Sequence, residues 1–221
     1  MEMDRLTGTR ACLAILTVCL TQAVPALARD GFDIVIANGR VMDPETGLDA
    51  IRHVGIRGET VAAISGEPLR GDVEIDATGL VVAPGFIDLH AHGQCSRSNE
   101  FQAMDGVTTA LELEIGVPDV GRFLASRKGH AVVNFGATIG HGPLRSWAMP
   151  EHEQQVERVV AEFGTGGDDC RDVFKAFGAG TRPGGHAALA EERYPVLREK
   201  LMQGLRDGAL GLGIAHQYYP G

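Results

Sequence analysis

The sequence predicts an α/β protein in two parts, a small β segment followed by a longer stretch in which strands and helices alternate. Three observations carry that reading. Residues 32–82 break into short runs rich in β-branched residues, punctuated at Asn38-Gly39, Gly47 and Gly58. Residues 85–215 instead alternate apolar runs (86–89, 106–116, 130–139 and 209–215) with stretches of helical spacing, the pattern of parallel βα units. The first of those runs ends in His90-Ala91-His92, so the alternating part also carries the chemistry.

Ahead of both parts, Arg5 and Arg10 precede an apolar run over 11–24, and Ala26-Leu27-Ala28 offers small residues where a signal peptidase reads. Residues 1–28 are therefore expected to be a signal peptide, leaving a periplasmic or secreted protein. The run is too short, and too interrupted by Gln22 and Pro25, for a span of roughly 20 apolar residues. No membrane attachment is expected after cleavage. The leader takes two residues of each sign with it, so the net charge stays at −9, and an acidic surface of that kind excludes nucleic acid as a partner. Cys12 and Cys19 leave as well. Cys95 and Cys170 are too few for a disulfide framework, although one bridge between them suits an oxidising compartment.

Residues 29–84 read as a small antiparallel β segment. Asn38-Gly39 between apolar runs signals a hairpin, Arg57-Gly58-Glu59 joins 53–56 to 60–64, and 73–76 leads to Ala77-Thr78-Gly79. No chemistry is assigned there. The turn Ala83-Pro84-Gly85 then opens the run 86–89, read as a buried strand, and residues two apart on a strand share a face. His90 and His92 therefore converge on one volume. Neutral imidazole is the commonest transition-metal ligand, whereas a bare His-x-His can equally be incidental.

A helix is expected over 99–105, then a strand over 106–116 in which Glu112 and Glu114 alternate with Leu111, Leu113 and Ile115. On an exposed strand both glutamates would face water. On a buried one a carboxylate needs a cation or donors, which a metal at His90 and His92 would supply. A helix over 119–128 and a strand over 130–139 lead to Gly140-His141-Gly142-Pro143-Leu144-Arg145, read as a loop. Val156, Val159, Val160 and Phe163 give 151–163 helical spacing, and the Gly-rich stretch 164–187, which includes Lys175, reads as an inserted loop. Residues 191–206 form an amphipathic helix with Tyr194, Leu197, Leu201 and Leu205 on one stripe. The run 209–215 reads as a further buried strand before Tyr218-Tyr219-Pro220-Gly221.

Three of these phrases carry a family resemblance. Ala83-Pro-Gly-Phe-Ile-Asp-Leu-His-Ala-His92 resembles the first barrel strand of the amidohydrolase superfamily. Gly140-His-Gly-Pro-Leu-Arg145 and Tyr218-Tyr-Pro-Gly221 are similar to phrases of its N-acyl-D-amino-acid deacylase (D-aminoacylase) branch. The resemblance covers nearly all of the chain after the leader. It implies an incomplete (β/α)8 TIM-type barrel over 85–221, about the first four strands, preceded over 29–84 by an N-terminal β-sandwich segment.

It further implies that His90 and His92 hold the more buried of one or two divalent ions, zinc in type, with Asp88 orienting an imidazole through its other nitrogen. The branch commonly places a bridging cysteine at the end of strand two, where this chain has Ile115. Glu114 is expected to bridge instead, then Glu112, with a carboxylated Lys175 as a further option. His141, Arg145 and Tyr218 are expected at the substrate, the planar fork of Arg145 suiting a carboxylate. The implied reaction is hydrolysis of a linear amide in a small N-acyl amino acid by metal-activated water. Its catalytic aspartate is expected beyond Gly221. Roughly 190 mature residues fall short of the ~250 of a complete barrel, so the chain reads as an N-terminal fragment, inactive alone. Two alternatives stand beside this: a cyclic-amide hydrolase of the dihydroorotase or hydantoinase type, which shares the His-x-His strand, and a non-catalytic secreted module from a truncated gene.

Overall fold

A computed structural model describes residues 31–92, 95–162 and 187–215 of the chain. The chain divides into two compact units, Met1–Val82 and Ala83–Gly221.

The described part of the first unit is one mixed sheet of β1 (Phe32–Asp43), β2 (Leu48–Arg57), β3 (Thr60–Ser65), β4 (Gly71–Asp76) and β5 (Val81–Val82). Its order is β3-β2-β1-β4, with β5 also paired to β1. Two sequence expectations are corrected here. The segment is not purely antiparallel, because β4 and β5 both run parallel to β1. Nor does Asn38-Gly39 turn the chain: β1 runs through it, and the register against β2 steps from Ile36↔Val54 to Gly39↔Arg52. Two residues on β1, Ala37 and Asn38, thus face the single His53 on β2, which is a bulge. Asn38 takes a left-handed φ of 64° and donates from Nδ2 to Asp76 Oδ1 at 3.1 Å. A Cβ on Gly39 would lie 2.4 Å from Val82 Cγ2, so only glycine lets β5 approach. The chain reverses instead at 43–47, where Asp43 Oδ1 accepts the Glu45 N–H and Asp43 O accepts the Gly47 N–H. This is the one sheet among the described residues of the first unit.

The second unit holds a four-stranded parallel sheet in the order β6 (Phe86–Asp88), β7 (Val107–Val117), β8 (Asn134–Gly140) and β9 (Leu212–Gly213). Parallel neighbours require crossovers, and helices supply them: α1 (Ser96–Met104) between β6 and β7, and α2 (Val120–Arg127) between β7 and β8. Between β8 and β9 lie α3 (His141–Ala148), α4 (Pro150–Glu162) and α5 (Tyr194–Arg206). Asp119 caps α2 by accepting the Arg122 N–H at 2.9 Å. The core gathers Val117, Val120, Phe123, Ala137, Ile139 and Leu144 with Leu197 and Leu201 of α5 against them. Two residues of the expected α5 stripe thus pack inward, whereas Tyr194 and Leu205 are exposed.

Three expectations change in this unit. The phrase 140–145 is helical rather than a loop, since α3 begins at His141 directly behind β8. Strand β8 starts at Asn134, four residues later than the apolar run suggests. Strand β6 is not buried: Phe86 is 65% and Ile87 61% exposed, because β6 is an edge strand paired only to β7 among the described residues. The expected signal peptide (1–28) and most of the expected inserted loop (164–187) fall outside the described residues.

Candidate metal centre

The end of β6 is fixed by Asp88. Its Oδ1 accepts the backbone N–H of His90 at 3.0 Å and its Oδ2 accepts Gln102 Nε2 of α1 at 3.2 Å. Beyond Asp88 the chain stays beside β7, with Ala91 N–H donating to Leu111 O at 3.0 Å and a single antiparallel bridge joining His90 to Glu112. Both imidazoles are thereby held over the carboxylates of β7.

Strand β7 is irregular where those carboxylates sit. Glu112 pairs with Ala137 and Val117 with Ile139, so five steps on β7 span two on β8. The excess over 113–116 bulges out, and Gly116 takes a left-handed φ of 69°. Thr138 Oγ1 donates to Glu112 O (3.2 Å) and Leu113 O (3.1 Å), holding the bulge from β8. The bulge points the peptide N–H groups of Ile115 and Gly116 back at Glu112 Oε1, at 3.1 and 3.4 Å.

Three donor atoms converge beyond it. His90 Nε2 and His92 Nε2 are 2.8 Å apart, and Glu114 Oε2 lies 3.0 Å from the first and 3.3 Å from the second. Glu112 is not one of them, although it is wholly buried: its Oε2 meets His92 Nδ1, on the far side of that ring, at 2.6 Å. Burial raises the Glu112 carboxyl above its ordinary range, opposed by His92 and the two backbone N–H groups.

This donor set fits a divalent ion of the zinc type. Zinc bonds imidazole nitrogen and carboxylate oxygen at about 2.0–2.2 Å, which spaces tetrahedral donors ~3.3 Å apart, near the separations found. Two imidazoles and one carboxylate also make three protein donors, the number of a catalytic zinc site with a position left for water or substrate.

The other expected site residues are placed as follows. Asp88 receives a backbone N–H and an amide rather than an imidazole, so the expected orientation of a histidine ring by Asp88 is replaced by one from Glu112. Glu112 correspondingly lies outside the three-donor cluster, with Oε2 against His92 Nδ1 and Oε1 accepting the Ile115 N–H. His141 opens α3 at the C-terminal end of β8, with Nδ1 buried and without a hydrogen-bond partner among the described residues. Burial lowers its pKa, and the charge of Arg145 lowers it further. The Arg145 guanidinium donates to the carbonyl of Ala187, tying α3 to a later segment. Cys95 is disulfide-bonded and caps α1, which removes it as a metal thiolate; Cys170 lies outside the described residues. Lys175 and Tyr218 also lie outside them.

Sequence reasoning missed Thr138 and Gln102, the two groups that brace the bulge and the β6 end. The only local signal was Gly116, two residues after the second glutamate, which marks a strand about to depart from regular pleating.

Comparison with known proteins adds three findings. The amidohydrolase family pattern matches residues 73–161. The N-acyl-D-glutamate deacylase of Alcaligenes xylosoxydans xylosoxydans is 30% identical over 203 residues, covering 74% of this chain, and a dihydroorotase of Streptococcus thermophilus is 50% identical over 60 residues, 27% of this chain and 14% of that protein. The chain spans about 40% of the length of that deacylase. Among solved structures, the N-acyl-D-glutamate deacylase of Bordetella bronchiseptica, complexed with zinc and a phosphonate inhibitor, aligns with a TM-score of 0.63 at 21% identity, covering 87% of this chain and 40% of its own.

Proposed function

We propose that this chain, which belongs to the amidohydrolase family and is similar to D-aminoacylases, carries the metal-binding half of a hydrolase that cleaves the linear amide of N-acyl-D-amino acids. The observation that carries the proposal is the convergence of His90 Nε2, His92 Nε2 and Glu114 Oε2 at the C-terminal end of parallel strands, where βα folds keep their chemistry. A divalent ion held by these three would polarise the amide carbonyl and activate water for attack on it.

The chain's own residues do the remaining work described here. Asp88 and Gln102 hold the backbone that presents both imidazoles. Glu112 holds one ring from behind. His141, neutral through burial and lying at the end of β8, is an uncharged hydrogen-bonding group for a substrate oxygen or N–H. Arg145 is engaged by Ala187 and sets the position of α3. The substrate role of Tyr218, export through residues 1–28 to the periplasm or beyond, and a barrel with its N-terminal β-sandwich are parts of the same reading, supported by the sequence phrases alone.

The test is metal content followed by substrate. Elemental analysis of the purified chain after zinc loading and dialysis should give at least one ion per chain, and close to none in a His90→Ala/His92→Ala variant. Equal content in both removes the assignment. The metal-loaded whole protein should release free amine from N-acyl-D-amino acids and leave cyclic amides intact. The dihydroorotase relative is the specific observation favouring the second reading, and ring opening of dihydroorotate or a hydantoin without deacylation would establish it.

A further inference from the structure

We infer that Glu112 is the positioning residue that sets the tautomer of His92, and that the bulge in β7 exists to hold Glu112 in that role. The inference rests on the metal reading above and adds a residue and a mechanism to it.

A neutral imidazole offers one lone pair, and only the nitrogen without a proton can face a metal. His92 Nε2 faces the cluster while Nδ1 faces Glu112 Oε2 at 2.6 Å. An ionised carboxylate accepts and never donates, so it draws the ring proton to Nδ1 and leaves the lone pair on Nε2. The same bond fixes the ring plane, which freezes the direction of the donor. Partners of this kind behind a ligating histidine commonly govern metal affinity.

The carboxylate is itself immobilised. Glu112 is fully buried, and its other oxygen receives the N–H groups of Ile115 and Gly116. Those two N–H groups point inward only because β7 leaves the regular register between Glu112 and Val117, with Thr138 Oγ1 bracing the carbonyl side. In a regular strand these two successive N–H groups would point to opposite sides and could not converge on one carboxylate oxygen. The departure from regular pairing therefore does two things at once: it anchors Glu112 through two N–H groups that favour its charged form against the cost of burial, and it lets Glu114 reach the imidazoles from the same strand.

A glutamine cannot replace this residue without loss. Its carbonyl oxygen can serve either His92 or the two backbone N–H groups, and its NH2 then faces donors at the other place. If the NH2 faces His92, it calls for a lone pair on Nδ1 and moves the proton to Nε2, the wrong nitrogen for the cluster.

Nitrogen-15 NMR of the imidazoles in the metal-free chain, with zinc titration, tests this. In the wild type His92 should be protonated at Nδ1, and a His92 protonated at Nε2 overturns the inference whatever the variants do. Glu112→Gln should shift that population toward Nε2–H and weaken zinc binding by about 10–100-fold. An unchanged tautomer with unchanged zinc affinity in Glu112→Gln also overturns it. His90→Ala separates the two levels of the argument. If that variant binds zinc as the wild type does, the metal reading fails, and the wild-type His92 tautomer still decides the role of Glu112 on its own.

Discussion

His141 is a ring with a buried nitrogen that has no partner among the described residues, and its environment favours the neutral form. The consequence for stability has a definite sign. Its folded-state pKa lies below the unfolded value of about 6.5, so above that pH neither state carries the proton and the residue contributes no slope. Below it the unfolded chain takes up a proton that the folded chain resists, and stability falls as pH falls. Denaturant midpoints measured at pH 7.5 and 5.5 should therefore lie closer together in His141→Gln than in the wild type; equal spacing would show that the ring is not held neutral. A second residue-scale prediction concerns Glu114, the one donor of the cluster that carries charge. Glu114→Gln keeps an oxygen in place but removes the negative charge. Zinc affinity should drop by at least tenfold in a competition assay with a chromogenic chelator, while the far-ultraviolet circular dichroism stays that of the wild type.

The element that matters most is the end of β7. Gly116 combines a φ of 69° with a backbone neighbour so close that a Cβ would lie 2.6 Å from Gly140 N. Gly116→Ala should cost about 1–3 kcal/mol from the left-handed conformation, before any movement of β8. Urea unfolding should show that loss together with weaker zinc binding, since the bulge places both glutamates; a variant as stable as the wild type would mean that the turn relaxes freely. This element also explains which parts of the site were legible in the sequence. His90, His92 and Glu114 could be read because alternation along a strand survives one or two residues of irregularity. The division of labour between Glu112 and Asp88 could not, because it depends on N–H groups that only the bulge turns inward. The same limit applied at Asn38-Gly39, a hairpin signal that the structure uses as a bulge because β5 needs room beside Gly39. Helices α4 and α5 were easier. Their apolar residues recur at helical spacing, and Val156, Val159, Leu197 and Leu201 face the interior in whole or in part. Helix α3 carries two glycines' worth of loop signal around His141, yet Leu144 packs it into the core, and tertiary burial outweighs propensity there.

At the scale of the molecule, every donor of the cluster belongs to the second unit, and within it to two neighbouring elements: the end of β6 and strand β7. Strand β6 is three residues long, pairs with β7 through only three positions and leaves Phe86 and Ile87 exposed, so little packing retains it. An ion shared between His90, His92 and Glu114 would tie this weak edge to a strong strand. Because such an ion binds the folded arrangement and not the unfolded chain, it stabilises by mass action, by about 2.7 kcal/mol at a concentration a hundred times its dissociation constant. The gain should appear where the ion acts. Hydrogen exchange at the Ala91 amide, which donates to Leu111, should slow by up to ~100-fold on zinc saturation. Residues 31–82 contribute no donor and provide the internal reference. His90→Ala should abolish the slowing. Slowing spread evenly over both units, or slowing that survives His90→Ala, would mean that zinc acts on the chain at some other place than the junction of β6 and β7.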